Sequence, residues 1–324
     1  MNDINAIGVY TSGGDSPGMN ANVRAVVKTA VSFNIPVYGI YKGYRGMIDN
    51  HIEELHKNNV MNILQRGGTF LQTARSNEFL KPEGRAQAYE NLQKHGIDAL
   101  VCCGGDGSFH GLHLLIKETG IRGVGTPGTI DNDLYGTDYT IGYDTAINTA
   151  LDAIDRIRDT ASSHDRLFIV EVMGRHAGFI AQAVGLAGGA EDILIPETWT
   201  DIPEICKALQ KAKDSGKHST VLVVAEGDEA GGAFDIKRKI EKEAGWDVRV
   251  SVLGHIQRGG SPTASDRILA TRCGYHAVQS LRTGETDVMI GIQNDAVTLT
   301  PLPDTWKKHK RVNPLLEDLI KVLR

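Results

Sequence analysis

The chain has 324 residues, with 35 lysines and arginines against 40 aspartates and glutamates, for a formal charge of −5. That balance gives no global basic field for gripping nucleic acid or an anionic membrane. A content of 41% hydrophobic and 23% charged residues excludes a disordered chain, and the length predicts about two domains.

In chain order, residues 4–10 read as a buried strand that stops at Thr11-Ser12-Gly13-Gly14-Asp15-Ser16-Pro17-Gly18. A helix with apolar Val23, Val26, Val27 and Ala30 follows, then a strand over 37–41. This β–loop–α–β opening predicts a parallel sheet. Residues 85–94 are predicted helical, 99–103 a strand, 104–108 a loop and 109–118 a helix, with a short strand ending over 123–125. Residues 145–160 carry Ile147, Ala150, Leu151, Ile154 and Ile157 at spacings of three and four, which predicts an amphipathic helix. Further strands are expected over 167–172, 221–225, 248–253 and 288–292, and helices over 178–186, 236–243 and 265–281. The chain is therefore α/β throughout, with right-handed crossovers. No repeat, low-complexity segment or linker marks a boundary. The longest apolar runs, such as 100–103 and 221–225, are far below the ~18 residues of a membrane span.

Met1 to Ala6 lacks the basic and apolar regions of a secretory signal. Cys102, Cys103, Cys206 and Cys273 form no CxxC pair and read as reduced core thiols of a cytosolic protein. Glycine is the outlier: 37 of 324 residues, above the average of roughly 7%. The glycines cluster in polar loops that follow strands, where backbone must turn tightly or approach a ligand. In doubly wound sheets, ligands sit beyond the carboxyl ends of the strands, so these loops are expected to share one cleft.

Gly13 to Gly18 joins a strand to a helix, a place where backbone N–H groups favour a phosphate; the alternative is a plain tight turn. Gly104-Gly105-Asp106-Gly107-Ser108 repeats the arrangement and adds a carboxylate suited to a Mg²⁺ that carries nucleotide phosphates, or simply to an N-cap. Residues 123–128 match GxGxxG, but Pro127 and the acidic run after it do not open a helix, so no dinucleotide site is inferred. Walker A, HRD and DFG signatures are absent. Thr129-Ile130-Asp131-Asn132-Asp133 offers two carboxylates that could divide metal and base roles, or a solvated turn. Arg66, Arg75, Arg166, Arg175 and Arg258 sit in polar loops; each alone suits a surface pair, and five together suggest a substrate with several phosphates. The glycine pair Gly188-Gly189 reads as a helix C-cap, and His110, His113 and His176 lack zinc spacing.

Six motifs taken in order resemble the bacterial 6-phosphofructokinase family: Thr11 to Asn20, Gln65 to Thr69, Gly104 to Ser108, Pro127 to Asp133, Met173 to Arg175, and His255 to Pro262. The resemblance covers about residues 4–295. It implies two Rossmann-like three-layer α/β domains with largely parallel sheets and an active site in the cleft between them. The ATP-binding domain is expected at 1–140 plus about 256–305, and the fructose-6-phosphate domain at about 141–255 plus 306–324. The implied reaction is transfer of the ATP γ-phosphoryl to the 1-hydroxyl of fructose 6-phosphate, in a cytoplasmic homotetramer that uses Mg²⁺. Gly13, Arg75, Ser76, Gly105, Asp106, Gly107 and Ser108 match the ATP side, with Asp106 toward the metal. Asp131 matches the base, and Thr129, Arg75 and Arg175 the other catalytic positions. Thr129, Ile130, Met173, Gly174, Arg175, Glu226, His255, Ile256, Gln257 and Arg258 match sugar-phosphate contacts. Arg166 and Arg249 match arginines that reach in from a neighbouring subunit.

An ADP or phosphoenolpyruvate effector site is implied at Arg24, Lys28, Lys57, Arg158, Gly188, Glu191 and Lys217. Lys28 and Lys57 stand where arginine is usual in the family, and Ser215 where a basic residue is common, which implies weak regulation. The runner-up enzyme is the pyrophosphate-dependent relative, which carries Asp and Lys where this chain has Gly107 and Gly128; glycine at both is expected to leave room for the longer nucleotide. A non-catalytic nucleotide sensor is the other alternative, and an intact Thr129-Ile130-Asp131 with Arg175 argues against it.

Overall fold

A computed structural model describes residues 4–161, 167–216 and 220–323. Its elements run β1 (Ile7–Thr11), α1 (Met19–Ser32), β2 (Val37–Ile40), α2 (Gly43–Ile48), β3 (Ile52–Glu54), α3 (Pro82–Lys94), β4 (Ala99–Gly104), α4 (Asp106–Thr119) and β5 (Arg122–Pro127). There follow α5 (Tyr143–Ala161), β6 (Leu167–Val172), α6 (Phe179–Ala187), β7 (Asp192–Leu194), α7 (Ile202–Asp214), β8 (Thr220–Ala225), α8 (Ala233–Ala244) and β9 (Val248–Val252). A 3₁₀ turn at Gly254–Arg258 leads to α9 (Ala264–Thr283), β10 (Val288–Gln293), β11 (Ala296–Pro301), α10 (Asp304–Lys307) and α11 (Pro314–Leu323). Among the described residues, no helix is long and apolar enough to cross a membrane.

The chain divides into two compact units, the first made of Met1–Ile130, Leu134–Thr145 and Arg258–Lys310, the second of Asp131–Asp133, Ala146–Gln257 and Arg311–Arg324. The first holds a seven-stranded sheet in the order β11-β10-β5-β4-β1-β2-β3. Its inner pairs are parallel, while β3 and β11 close the two edges antiparallel. Strands covered on both faces become continuous apolar runs, and every residue of β4 is buried. Cys102 and Cys103 point to opposite faces and join different core clusters, and all four cysteines are buried and free. On one face α1 lies against α9. Gly274 makes that approach possible, since a Cβ there would fall 2.8 Å from the Asn22 carbonyl and from Ala25.

The second unit holds a four-stranded parallel sheet, β7-β8-β6-β9. Leu167, Ile169, Leu222 and Val224 on one face bury Ile205 and Leu209 of α7 and Ile236 and Ile240 of α8.

Several boundaries differ from the sequence expectations. The first strand begins at Ile7 rather than residue 4, and β5 runs the full length Arg122–Pro127. Asp106 to Ser108 belong to the first turn of α4 instead of a loop, and the N-cap is Gly105, so Asp106 is not a cap. The elements α2, β3, β7 and α10 are too short to show a period. Three longer elements, α7, β11 and α11, were also not expected; Pro203 in the opening of α7 and the exposed residues of the edge strand β11 obscured the first two.

Candidate active site

The loops of the first unit emerge side by side from the carboxyl edge of its sheet. Thr11 pairs with Cys103, and Gly104 with Pro127. The Ser12 N–H donates to the Cys103 carbonyl at 3.0 Å, and the Gly128 N–H to the Gly104 carbonyl at 2.9 Å. Three strand ends are thereby locked into one line, where ligands gather in doubly wound sheets. Gly13 turns at φ +86°, a conformation that favours glycine. Gly105 places the start of α4 beside Thr129, whose Cβ is 4.0 Å from the position a Gly105 Cβ would take. Nothing lies within 4 Å of a Cβ at Gly107, so this turn opens to free space.

The orphan N–H groups of a helix start attract negative charge. Asp106 sits among them, exposed, with Oδ1 accepting the Gly107 N–H at 2.6 Å. A hard carboxylate oxygen on an exposed helix start is a donor that fits Mg²⁺ carried on phosphates. Ser108 is buried and donates through Oγ to Ser12 Oγ at 2.9 Å, tying the two glycine loops together. The guanidinium of Arg258 lies 3.6 Å from where a Gly14 side chain would begin. Arg75 is exposed, and the Ser76 hydroxyl accepts the Phe79 N–H at 3.3 Å.

In the second unit the carboxyl ends of β6 and β8 carry another set. Val172 pairs with Ala225, so the Met173-Gly174-Arg175 turn and Glu226 leave the sheet together. Glu226 Oε1 accepts the N–H groups of Arg175 at 2.9 Å and Gly174 at 3.3 Å. Gly174 at φ +144° and Arg175 at φ +53° form a sharp turn, and the Arg175 side chain it carries is exposed. Gly227 is required here, since a Cβ would fall 1.8 Å from the Arg175 carbonyl. Gln257 is fully buried, and its Oε1 accepts the Met173 N–H at 2.8 Å, which anchors the 3₁₀ turn whose His255 and Ile256 are exposed.

Asp131 belongs to this unit. It is 5% exposed, and its Oδ2 lies 3.6 Å from Arg175 Nε. The solvated-turn alternative is thereby corrected, because this carboxylate is withdrawn from water and faced by a cation. Ile130 is buried at the end of the first unit's segment and Asn132 turns at φ +54°.

Arg249 is exposed and pairs with Asp247 at 2.9 Å. Arg166 and Lys217 lie outside the described residues. Of the effector set, Arg24 and Lys28 stand half-buried on α1 and Lys57 is exposed after β3. In the second unit, Arg158 donates to the carbonyls of Gly188 and Gly189 and so caps α6, with Gly189 at φ +63°. Glu191 Oε2 accepts the Val221 N–H at 2.6 Å. Ser215 is exposed and donates to the Ala212 carbonyl.

The expectation that Gly128 leaves room for a ligand is corrected. A Cβ there would meet Cys103 Sγ and Met19 Cε at 2.8 Å and the Gly104 nitrogen at 3.1 Å, so the hydrogen faces packed core. Sequence reasoning also passed over the residues that hold the loops. Asn20 donates to the Arg66 and Gly67 carbonyls and accepts the Phe70 N–H, fixing the segment 65–70. Asp266 is buried and accepts the N–H groups of Gly142 and Thr145 and the Thr145 hydroxyl, holding the start of α5. Thr263-x-x-Asp266, a capping-box spacing, was the available signal for the second.

Residues 6–281 match the family model "Phosphofructokinase". The chain is 56% identical over 317 residues to "ATP-dependent 6-phosphofructokinase 1" of Thermus thermophilus, covering 98% of each chain. It is 53% identical to "ATP-dependent 6-phosphofructokinase" of Bacillus velezensis, again over 98% of each. Among solved structures it superposes on phosphofructokinase from Saccharomyces cerevisiae with a TM-score of 0.89 at 39% identity, covering 98% of this chain and 47% of the yeast chain, about half its length. A pyrophosphate-dependent phosphofructokinase from Marinobacter aquaeolei shares the fold, with a TM-score of 0.82 at 24% identity over 98% of this chain and 91% of the other.

Proposed function

The chain belongs to the phosphofructokinase family, and from that premise we propose that its two groups of loops divide a single reaction. The protein is an ATP-dependent 6-phosphofructokinase of glycolysis, which moves the ATP γ-phosphoryl group to the 1-hydroxyl of D-fructose 6-phosphate and yields fructose 1,6-bisphosphate and ADP. The observation that carries the assignment of roles is the buried Asp131 carboxylate with Arg175 Nε at 3.6 Å.

Phosphoryl transfer asks a protein for position and charge neutralisation more than for covalent help. In this reading Asp131 accepts the proton that leaves the 1-hydroxyl as oxygen attacks phosphorus. Arg175, whose backbone N–H is held by Glu226, and the exposed Arg75 offset charge on the phosphoryl group in flight. Thr129 stands beside Gly105 at the start of the acidic loop and orients the transferring group there. Gly13, Gly105, Gly107, Ser108 and Ser76 receive the nucleotide. Asp106 would hold Mg²⁺, which neutralises phosphate charge when bound. Met173, Gly174, His255, Ile256, Gln257 and Arg258 take the sugar phosphate, so that binding energy far from the reacting hydroxyl orients it.

The first unit is thus the ATP-binding domain and the second the fructose-6-phosphate domain. We further assign Arg166 and Arg249 to the active site of a neighbouring subunit in a homotetramer, and the protein to the cytoplasm, in keeping with its buried free thiols. Turnover of fructose 6-phosphate measured separately with MgATP and with pyrophosphate tests the reading. The expected result is a higher kcat/KM with ATP. A higher value with pyrophosphate overturns the donor, and no turnover with either overturns the enzyme in favour of a sensor.

A further inference from the structure

Two phenol groups stand in line behind the first turn of α4. Tyr10 on β1 is fully buried and donates to the Tyr44 hydroxyl at 3.0 Å. Tyr44 on α2 donates in turn to the carbonyl of Ser108. Ser108 is therefore held from two sides, its carbonyl by this relay and its hydroxyl by Ser12. The same Tyr44 ring stacks on Phe79, with centroids 4.0 Å apart and planes at 21°. The Phe79 N–H donates to Ser76 Oγ, and the Phe79 carbonyl is fixed by Arg85. One ring thus lies between the Ser76 segment and the Ser108 turn. Tyr10 meets it edge-on at 5.2 Å, and Gly111 makes room for it, since a Cβ there would sit 3.0 Å from the ring and its hydroxyl.

Filling this core needs only ring volume. A phenylalanine at either position would supply that volume without a polar atom to satisfy, so the two hydroxyls call for another account. The chain of donors runs from Tyr10 through Tyr44 and ends on the backbone of the first turn of α4. Burial raises both phenols well above their ordinary range, so both remain neutral donors.

We propose that Tyr10 is a positioning residue for the nucleotide: acting through Tyr44, it orients the donor that fixes the Ser108 carbonyl, and so sets the first turn of α4 for ATP. The proposal rests on the reading of that turn as the nucleotide loop. Tyr10 touches no substrate, and its effect must pass through Tyr44.

Steady-state kinetics of Tyr10→Phe, Tyr44→Phe and the double variant test it, with melting curves confirming that each is folded. Tyr44→Phe is expected to raise the ATP KM by ~10-fold and Tyr10→Phe by ~3-fold, with kcat and the fructose-6-phosphate KM within about 2-fold. In the Tyr44→Phe background, Tyr10→Phe should add nothing, because residues acting in series are non-additive. An undiminished Tyr10→Phe effect in that background overturns the relay, and so does an equal rise in both KM values. If the Tyr44 variant does not fold, the split between the two KM values in Tyr10→Phe alone decides. Asp106→Ala separates the two levels. An unchanged ATP KM there removes the nucleotide reading and the proposal with it, while a raised one beside unmoved phenylalanine variants removes the relay alone.

Discussion

Asp131 is set apart from the other loop carboxylates by burial and by its partner. Asp15 and Asp106 lie in the glycine loops with more solvent around them, whereas Asp131 is 5% exposed and faces Arg175. Asp131→Asn keeps the shape and removes the base, so kcat should fall by ~10²–10⁴ while the fructose-6-phosphate KM stays within a small factor. A near-normal kcat in that variant would remove Asp131 from the role. Gly128 gives the opposite kind of forecast. Its side-chain position is occupied by Cys103, Met19 and backbone, so Gly128→Lys should cost ~1–3 kcal/mol through overpacking and lower the melting temperature. It should not turn the enzyme toward pyrophosphate. A variant as stable as the parent with higher kcat/KM for pyrophosphate contradicts the packing account. The sequence could announce that 128 is a glycine in a loop, but which of its two sides meets core depended on Met19 and Cys103, distant in the chain. Asp106 was legible as a loop carboxylate for the same local reason that its exact helix position was not: one residue decides between N-cap and first turn.

The helices and strands that carry the site were read from period, and their junctions were not. The strong 3–4 spacing of α5 and the apolar runs of β4, β6 and β8 appear where their patterns put them. The clamp at the start of α5 is a tertiary event. Asp266, from the first turn of α9, receives three donors from residues 142 and 145, over 120 positions away. Desolvation outweighs those donors and pushes its carboxyl up from 3.8 to about 6. The folded state then holds a proton more firmly than the unfolded one. The stabilisation from that proton is complete below about pH 4 and is lost as the pH rises through about 6. Asp266→Asn abolishes this titration. The wild-type minus variant difference in unfolding free energy should therefore grow by roughly 1 kcal/mol between pH 7 and pH 5. Denaturant titrations at both values check the sign; a difference that shrinks toward pH 5 refutes the assignment. Helix α3 shows a related device, with Arg85 forked onto Glu118 of α4 at 2.6 Å through both nitrogens, a pair no local pattern could disclose.

At the scale of the molecule, regulation is the property least settled by composition. We expect a weak effector response. Lys28 and Lys57 lack the bidentate fork of arginine, and Ser215 lacks charge. Arg158 is committed to the end of α6, and one Glu191 oxygen to the start of β8. Allostery needs differential affinity between two states, and these residues offer little of it. ADP or phosphoenolpyruvate should shift the fructose-6-phosphate half-saturation by less than ~10-fold, about 1.4 kcal/mol. Saturation curves with and without each compound decide it, and a strongly sigmoidal curve collapsed to a hyperbola by ADP is the contrary outcome.

The order of the strands also sets a timetable for synthesis. Everything in the four-stranded sheet lies between Leu167 and Val252, so a growing chain can finish it early. The seven-stranded sheet waits. Until Val288–Gln293 leaves the ribosome, β5 has no neighbour on one side, and the apolar side of α1 has no α9 to cover it. A bare parallel strand edge is an invitation to wrong pairing. Of the two sheets, the one that begins first is therefore the one completed last, and the bare edge of β5 lasts for as long as translation takes to cover the intervening 160 or so codons, which is on the order of ten seconds at ~5–20 residues per second.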